Sequence, residues 1–202
     1  MRVIGIVGLP GSGKSEAAAV ASEESIPVVT MGDVIRAACH ERGLDTAEHH
    51  GSVAKALREE DGPAAIAEHS LPIIEDRLES DETVVVDGIR SDAEVERFVD
   101  AFGEAFTLVC IEAPFEVRAD RVRDRGRDKS AEEGGEALRE RDERELGFGM
   151  GEAMERADVT VENVDTLAAF RSRIRSLLSA DDPEIGDESD TADEPEARPT
   201  DS

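Results

Sequence analysis

One stretch near the amino terminus restricts the folds open to this chain. The pattern G-x-x-x-x-G-K-[ST], which is typical of phosphate-binding loops, is matched by Gly8, Leu9, Pro10, Gly11, Ser12, Gly13, Lys14 and Ser15. An apolar run at residues 2–7 precedes the loop, and helix-forming residues at 16–21 follow it. The sequence therefore predicts a strand, a phosphate-binding loop and a helix, in that order.

The residue types in this loop suit a nucleoside triphosphate. Glycines let backbone N–H groups approach phosphate oxygens, and the helix that begins near Gly13 adds the positive end of its dipole. We expect Lys14 to bridge the β- and γ-phosphates of ATP, and the Ser15 hydroxyl to bind Mg²⁺. The alternative is a glycine-rich turn that binds nothing, which the strand and helix on either side disfavour.

The charge of the chain excludes some classes of partner. Its 202 residues include 49 acidic and 23 basic side chains, and the formal net charge is -26. Such acidity disfavours nucleic acids and anionic membranes as general partners, and it indicates adaptation to a cytosol of concentrated salt. No apolar stretch approaches the ~20 residues of a membrane span, and two cysteines fit a reducing interior. We expect a cytoplasmic protein, either a monomer or a homodimer.

Apolar runs and glycine breaks predict the remaining elements. Further strands are expected at residues 26–30, 83–86, 106–111 and 157–161. They suggest an α/β fold of the P-loop NTPase type, a three-layer α/β/α sandwich with a five-stranded parallel sheet. Glycines divide residues 37–78 into about three helices, which we interpret as a helical lobe that binds an acceptor.

Apolar spacing also predicts which helical faces are buried. A helix over 91–102 is expected to bury Val95, Phe98, Val99 and Phe102. A last helix from Asp165 is expected to bury Leu167, Phe170, Ile174, Leu177 and Leu178. Residues 1–179 therefore form the expected domain, and the acidic residues 180–202 the expected disordered tail.

Charged residues follow two predicted strands of this sheet. Asp33 and Arg36 follow the second strand, and Asp87 and Arg90 follow the third. Ligands of open α/β sheets bind at the carboxyl ends of strands, so Asp87 is a candidate Mg²⁺ ligand and Arg90 a candidate for binding an acceptor anion. Asp33 is placed either to cap the next helix or to meet the ligand.

A cluster of basic residues stands out in this acidic chain. Five arginines fall within ten residues, at Arg118, Arg121, Arg123, Arg125 and Arg127. Either they form a solvated basic face, or they stabilise the negative charge that develops on the transferred phosphate group. We favour the second interpretation because the phosphate-binding loop implies an anionic ligand. The polar stretch 126–135 that follows is a candidate lid, within a lid region at 118–146.

The order of these motifs resembles the nucleoside-monophosphate kinase superfamily. It runs GLPGSGKS, MGDVIR, DGIRS, DRVRDR and AD-x-x-x-x-N over about residues 1–178. Within that superfamily it is similar to an archaeal group of adenylate-kinase-like and dephospho-CoA-kinase-like proteins.

The resemblance implies roles for individual residues. Asp33 and Arg36 resemble the acceptor motif of adenylate kinases, and Asp87 and Arg90 the motif that serves Mg²⁺ and the acceptor phosphate, although that motif is one residue shorter here. Further matches are the phosphate-clamping lid arginines at Arg121 and Arg125, the later lid arginines at Arg141 and Arg144, and the segment beside adenine at Asn163. The lid lacks zinc-binding cysteines.

Two functions compete at this point. The first is a kinase that transfers the γ-phosphoryl group of Mg-ATP to a nucleoside monophosphate or a dephospho-CoA-like acceptor; Asp33 then either orients the acceptor or acts as a base. The second is a nucleotide-dependent ATPase or switch that acts on a macromolecular partner. A guanine-specific switch is disfavoured because Asn163 is the only asparagine and no N-K-x-D stretch exists.

Overall fold

The structure is a computed structural model that describes residues 1–126 and 138–180, apart from the side chains of 124–126. In that part of the chain, a single parallel sheet has the strand order β2-β3-β1-β4-β5. The strands are β1 (Arg2–Val7), β2 (Val28–Thr30), β3 (Thr83–Asp87), β4 (Phe106–Glu112) and β5 (Val159–Glu162).

Helices cover both faces of this sheet and confirm the predicted α/β/α sandwich. They are α1 (Lys14–Glu23), α2 (Met31–Glu41), α3 (Thr46–Asp61), α4 (Ala65–Leu78), α5 (Asp92–Phe102), α6 (Phe115–Gly126), α7 (Leu138–Leu146), α8 (Met150–Glu155) and α9 (Leu167–Ser179). A short 3₁₀ turn, Gly103–Ala105, joins α5 to β4. Within the described residues, none of these helices has the length and apolar character that crossing a membrane requires.

The core lies in two layers because β1, β3 and β4 bury side chains on both of their faces. Val3 and Val7 of β1 pack in one layer with the helical side that includes α4, α5 and α8. Ile4 and Ile6 of β1 pack in the other layer against α1 and α9. Burial on both sides explains why these strands are continuously apolar in sequence.

Strand register brings the functional ends of three strands together. Asp87 pairs in register with Ile6 of β1 on one side and with Thr30 of β2 on the other. The loop after β1 and the helix after β2 therefore start beside the last residue of β3.

The start of α2 differs from the prediction for Asp33. Helix α2 begins at Met31 directly after β2, with Thr30 at the N-cap position. Asp33 is thus the third residue of the helix and not its cap, and its carboxylate pairs with Arg36. Met31 is almost fully buried in the core, and burying it places the first turn of α2 directly at the end of β2.

Two predicted core residues are exposed instead. Val99 of α5 is 42% exposed and Leu167 of α9 is 60% exposed. Consecutive helical residues point about 100° apart, so Val99 turns away from the face that Phe98 buries. Leu167 is the first residue of its helix, and the buried face of α9 starts at Phe170. Residues 127–137 and 181–202, which include most of the candidate lid and the acidic tail, lie outside the described residues.

Candidate functional site

The loop after β1 requires glycine at defined positions. Gly8, Gly11 and Gly13 have φ angles of 142°, 82° and 124°. A Cβ atom on Gly8 would lie 2.3 Å from the carbonyl oxygen of Ile111, and one on Gly13 would lie 2.4 Å from Nδ2 of Asn163. The loop is therefore packed closely against β4 and the segment after β5, and α1 begins behind it without a side-chain cap. Such a helix end is suited to an anion.

Lys14 is held inside this loop. Its Nζ donates hydrogen bonds to the carbonyl oxygens of Gly8 and Leu9, the latter at 3.2 Å. Burial lowers the pKa of Lys14, while the nearby carboxylates of Glu145 and Asp87 act in the opposite direction. An anion placed next to this ammonium group would favour its charged form.

A cleft of about 410 Å³ opens between the loop and the carboxyl ends of β2 and β3. Its polar and charged lining residues are Lys14, Ser15, Thr30, Arg36, His50, Arg58, Asp87, Arg90, Arg141 and Glu145. The structure thus brings Lys14, Ser15 and Asp87 into one space with three of the four residues predicted to bind the acceptor. Asp33, the fourth, is absent from the residues that line this cleft.

Asp33 is instead tied to Arg36. The Nε atom of Arg36 donates a hydrogen bond to Oδ1 of Asp33 at 2.9 Å, and the Asp33 side chain is 61% exposed. The carboxylate therefore holds the guanidinium of a residue that does line the cleft.

Asp87 is one of the two acids, with Glu145, that line the cleft beside the loop. Burial raises the pKa of Asp87, and the charges of Lys14 and Arg90 partly offset that effect. In the described residues, no group of three or more His, Cys, Asp or Glu side chains could hold a metal ion. Mg²⁺ in phosphate-transfer sites commonly uses one or two protein ligands together with phosphate oxygens, so Ser15 and Asp87 fit this ion when it arrives with a nucleotide.

The sequence analysis did not identify four residues in or beside the cleft, which are His50, Arg58, Glu94 and Glu145. Arg90 Nη1 donates to Glu145 Oε1 at 2.6 Å, and Arg58 Nη2 donates to Glu94 Oε1 at 3.1 Å. His50 also lines the cleft, and the pKa of His50 is lowered by burial and by the charges of Arg36 and Arg90. The sequence spacing of Arg141 and Glu145, four residues apart on one helical face, is a signal that could have indicated Glu145.

Asn163 connects the segment after β5 to the loop. Its Nδ2 donates to the Ser12 carbonyl oxygen at 2.7 Å, and Arg121 Nη2 donates to Asn163 Oδ1 at 3.0 Å. Arg121 Nη1 also donates to the Ser12 carbonyl oxygen, at 3.3 Å. Arg121 and Asn163 therefore lie together against the phosphate-binding loop. The side chain of Arg125 lies outside the described residues.

A second cavity of about 340 Å³ lies at the ends of β4 and β5. Its lining residues are Leu9, Ser12, Ile111, Glu112, Ala113, Pro114, Arg118, Met154, Glu162 and Val164. Leu9 and Ser12 belong to the loop, so the described loop has a cavity on each side: one over β2 and β3, the other over β4 and β5.

Comparison with known sequences gives consistent relatives. A family model described as an AAA domain matches residues 4–146. A UPF0200 protein of Halobacterium salinarum is 59% identical over 183 residues, which cover 91% of this chain and 95% of the relative. A UPF0200 protein of Methanosarcina mazei is 48% identical over 182 residues, covering 89% and 95%.

Solved structures share the fold at low identity. The Thermus thermophilus protein TT1252 matches with a TM-score of 0.57 and 20% identity, over 88% of this chain and 96% of that protein. A shikimate kinase of Acinetobacter baumannii, in complex with shikimate, matches with a TM-score of 0.52 and 15% identity, over 88% and 91%. The arrangement of sheet and helices described above is thus the P-loop kinase fold.

Proposed function

The chain belongs to the UPF0200 family and carries an AAA domain, and we propose that it is a phosphotransferase. It would transfer the γ-phosphoryl group of Mg-ATP to a small acceptor that bears a phosphate group, such as a nucleoside monophosphate or a dephospho-CoA-like molecule. The observation that carries this proposal is the shared cleft. Lys14, Ser15 and Asp87 line it together with Arg36, Arg90 and Arg141.

The nucleotide is assigned to the loop and to the residues that pack on it. Backbone N–H groups of the loop and the ammonium group of Lys14 would bind its phosphates, while Ser15 and Asp87 would hold Mg²⁺. Bound Mg-ATP would supply the transferable phosphoryl group and a divalent positive charge. Arg121 and Asn163, which contact the Ser12 carbonyl, are proposed to lie beside the nucleoside. Arg121 and Arg125 are also proposed to bind the ATP phosphates, because they resemble the lid arginines of nucleoside-monophosphate kinases.

The acceptor is assigned to the arginines that line the cleft. Arg36, Arg90 and Arg141 provide permanently charged donors that suit phosphate oxygens. The phosphate of a nucleoside monophosphate already carries a nucleophilic oxyanion and needs no base, whereas the hydroxyl of a dephospho-CoA-like acceptor needs one, so the role required of Asp33 differs between the two acceptors. Because Asp33 is engaged with Arg36 and is largely exposed, we assign it the role of orienting Arg36 rather than of removing a proton.

The test is a screen for transfer of labelled phosphate from [γ-³²P]ATP. The acceptors are the nucleoside monophosphates, dephospho-CoA and, because of the structural likeness, shikimate. Labelled product that depends on one acceptor, and that falls on the order of 10²–10³-fold in Lys14→Ala, is the expected result. Undiminished transfer by Lys14→Ala would rule out the proposed mechanism.

The same screen tests the alternative that the sequence left open. A nucleotide-dependent ATPase or switch would release inorganic phosphate in the absence of any small acceptor. If phosphate release is the only reaction and every acceptor stays unlabelled, the kinase proposal fails.

A further inference from the structure

Glu94 is a carboxylate buried without any contact to solvent. It lies in the first turn of α5, and its residue exposure is 0%. Both of its oxygens are used: Oε2 accepts from the backbone N–H of Arg90 at 2.7 Å, and Oε1 accepts from Arg58 Nη2 at 3.1 Å. A carboxylate that is removed from water needs such partners, because its desolvation is otherwise unfavourable.

Helix capping does not account for these contacts. The cap of α5 is Ser91, whose Oγ accepts from the Glu94 backbone N–H at 3.3 Å. In a capping box, the Glu at the third helical position returns to the N–H of the cap residue itself. Here the carboxylate passes the cap and bonds to Arg90, and it also bonds to Arg58 on α3, 36 residues away in sequence.

The two arginines that Glu94 contacts both line the cleft. Arg90 follows Asp87 by three residues, whereas Arg58 comes from the helical segment between β2 and β3. The Arg58 side chain is 23% exposed, so most of it is fixed by packing. A guanidinium has five N–H donors, and in the described residues Arg58 uses donors on Glu94 and on the Ala54 carbonyl oxygen, which leaves others for a ligand.

We propose that Glu94 is a positioning residue that holds Arg58 and Arg90 in the cleft, so that together they bind the anionic group of the acceptor. The identification of that anion as the acceptor's rests on the proposed function. Glu94 itself does not touch the ligand. It holds the Arg58 guanidinium directly and the Arg90 backbone through its N–H, while the Arg90 guanidinium donates to Glu145. The spacing of the two arginines is therefore set before binding, and a preorganised pair binds an anion more tightly.

The experiment uses inorganic phosphate as the probe, so that it does not depend on knowing the acceptor. The full-length protein is labelled with ¹⁵N at arginine, and its phosphate-binding loop is filled with Mg²⁺ and a non-hydrolysable ATP analogue. Phosphate is then titrated while the Nε–H resonances are followed, with Arg58→Lys and Arg90→Lys used for assignment. The wild-type protein is expected to show both resonances shifting with one dissociation constant.

The deciding variant is Glu94→Gln, which keeps the size of the side chain and removes its charge. Phosphate affinity is expected to fall on the order of tenfold, while the affinity for the ATP analogue stays within twofold. The matched control is Glu96→Gln on the same helix, whose pair with Arg156 at 3.1 Å is largely exposed, and it is expected to bind phosphate like the wild type. A merely structural role for Glu94 would leave the phosphate titration unchanged in a folded variant.

Three outcomes would overturn the proposal. They are a wild-type protein in which phosphate moves neither arginine resonance, a folded Glu94→Gln protein with wild-type phosphate affinity, and an equal loss in Glu96→Gln. If Glu94→Gln does not fold, Arg58→Lys takes its place in the titration. Lysine keeps the positive charge but lacks the planar guanidinium that can donate to Glu94 and to a ligand at the same time. Wild-type phosphate affinity in Arg58→Lys would also overturn the proposal. Phosphate binding without any transfer to an acceptor would contradict the proposed function alone.

Discussion

Arg118 and Asp142 form a bidentate ion pair next to the phosphate-binding loop. Nη1 and Nη2 of Arg118 each donate to one oxygen of the Asp142 carboxylate, both at 2.8 Å. Nη1 also donates to the carbonyl oxygen of Pro10 at 3.0 Å. The pair thus ties α6 and α7 to the loop, and α7 is the helix that carries Arg141 and Glu145.

We expect Asp142→Asn to destabilise the protein by about 3 kcal/mol, because it leaves a buried guanidinium without its counter-charge. The side chains of Arg118 and Asp142 are only 6% and 13% exposed. The measurement is the free energy of unfolding from chemical denaturation. Asp120→Asn is the control, since its pair with Arg123 is 67% exposed on both sides and is expected to change stability by less than about 0.5 kcal/mol. Equal effects of the two variants would contradict the structural role of the buried pair.

Asn163 offers a test of the nucleotide side of the loop. Its side chain bridges Arg121 and the Ser12 carbonyl oxygen, so Asn163→Ala removes the contact that fixes the loop there. We expect the dissociation constant for Mg-ATP, measured by calorimetry, to rise about tenfold, which corresponds to about 1.4 kcal/mol. Thr160→Ser, at an exposed position of β5, is expected to leave it unchanged. An unaltered affinity in Asn163→Ala would show that Asn163 does not contribute to nucleotide binding.

Much of this architecture could be predicted because its signals are local. The loop pattern requires no distant partner, and strands buried on both faces are continuously apolar, so β1, β3 and β4 and the position of Asp87 follow from short stretches. The extent of a buried helix face does not follow from such local signals: Val99 has the apolar spacing of a core residue, yet nothing in the described fold covers it fully. The extent of a buried face depends on the neighbouring element, which local spacing does not contain.

The contacts that organise the cleft could not be predicted because they join distant residues. Arg58 and Glu94 are 36 positions apart, and Arg90 and Glu145 are 55 positions apart. The five clustered arginines were interpreted as one functional group, but Arg118 is buried in a structural pair, whereas Arg121 lies against the loop and Asn163. Residues of one type in one stretch of sequence thus reach different environments once the helix is packed.

The net charge of -26 predicts a stability that depends on salt. The Debye length, beyond which exposed charges are largely screened from one another, is about 10 Å at 0.1 M ionic strength and about 3 Å at 1 M. The repulsion among surface carboxylates is therefore weaker in concentrated salt. We expect the Tm to rise steadily from 0.1 M to 2 M KCl, and NaCl to act in the same direction. A Tm that stays constant across this range would show that self-repulsion does not limit the stability of the fold.

The last prediction concerns Asp87, where a gain in stability is expected to accompany a loss of activity. Burial raises the pKa of this carboxyl, so the folded protein binds the proton more tightly than the unfolded chain does. The stabilisation from this proton is present at pH values below the ordinary pKa of aspartate and is lost as the pH rises through the raised pKa of the folded state. At pH 7 the ionised carboxylate therefore lowers the stability of the fold.

Asp87→Asn is accordingly expected to have a higher Tm than the wild type at pH 7, with a difference that shrinks as the pH is lowered toward 4. The same variant is expected to reduce phosphoryl transfer on the order of 10²–10³-fold, because it removes the proposed Mg²⁺ ligand. Thermal unfolding at both pH values and the labelled-ATP assay measure the two effects, and Asp76→Asn, at an exposed position of α4, is the control. A lower Tm at pH 7 would show that the carboxylate stabilises the fold, and would contradict the sign derived from its burial.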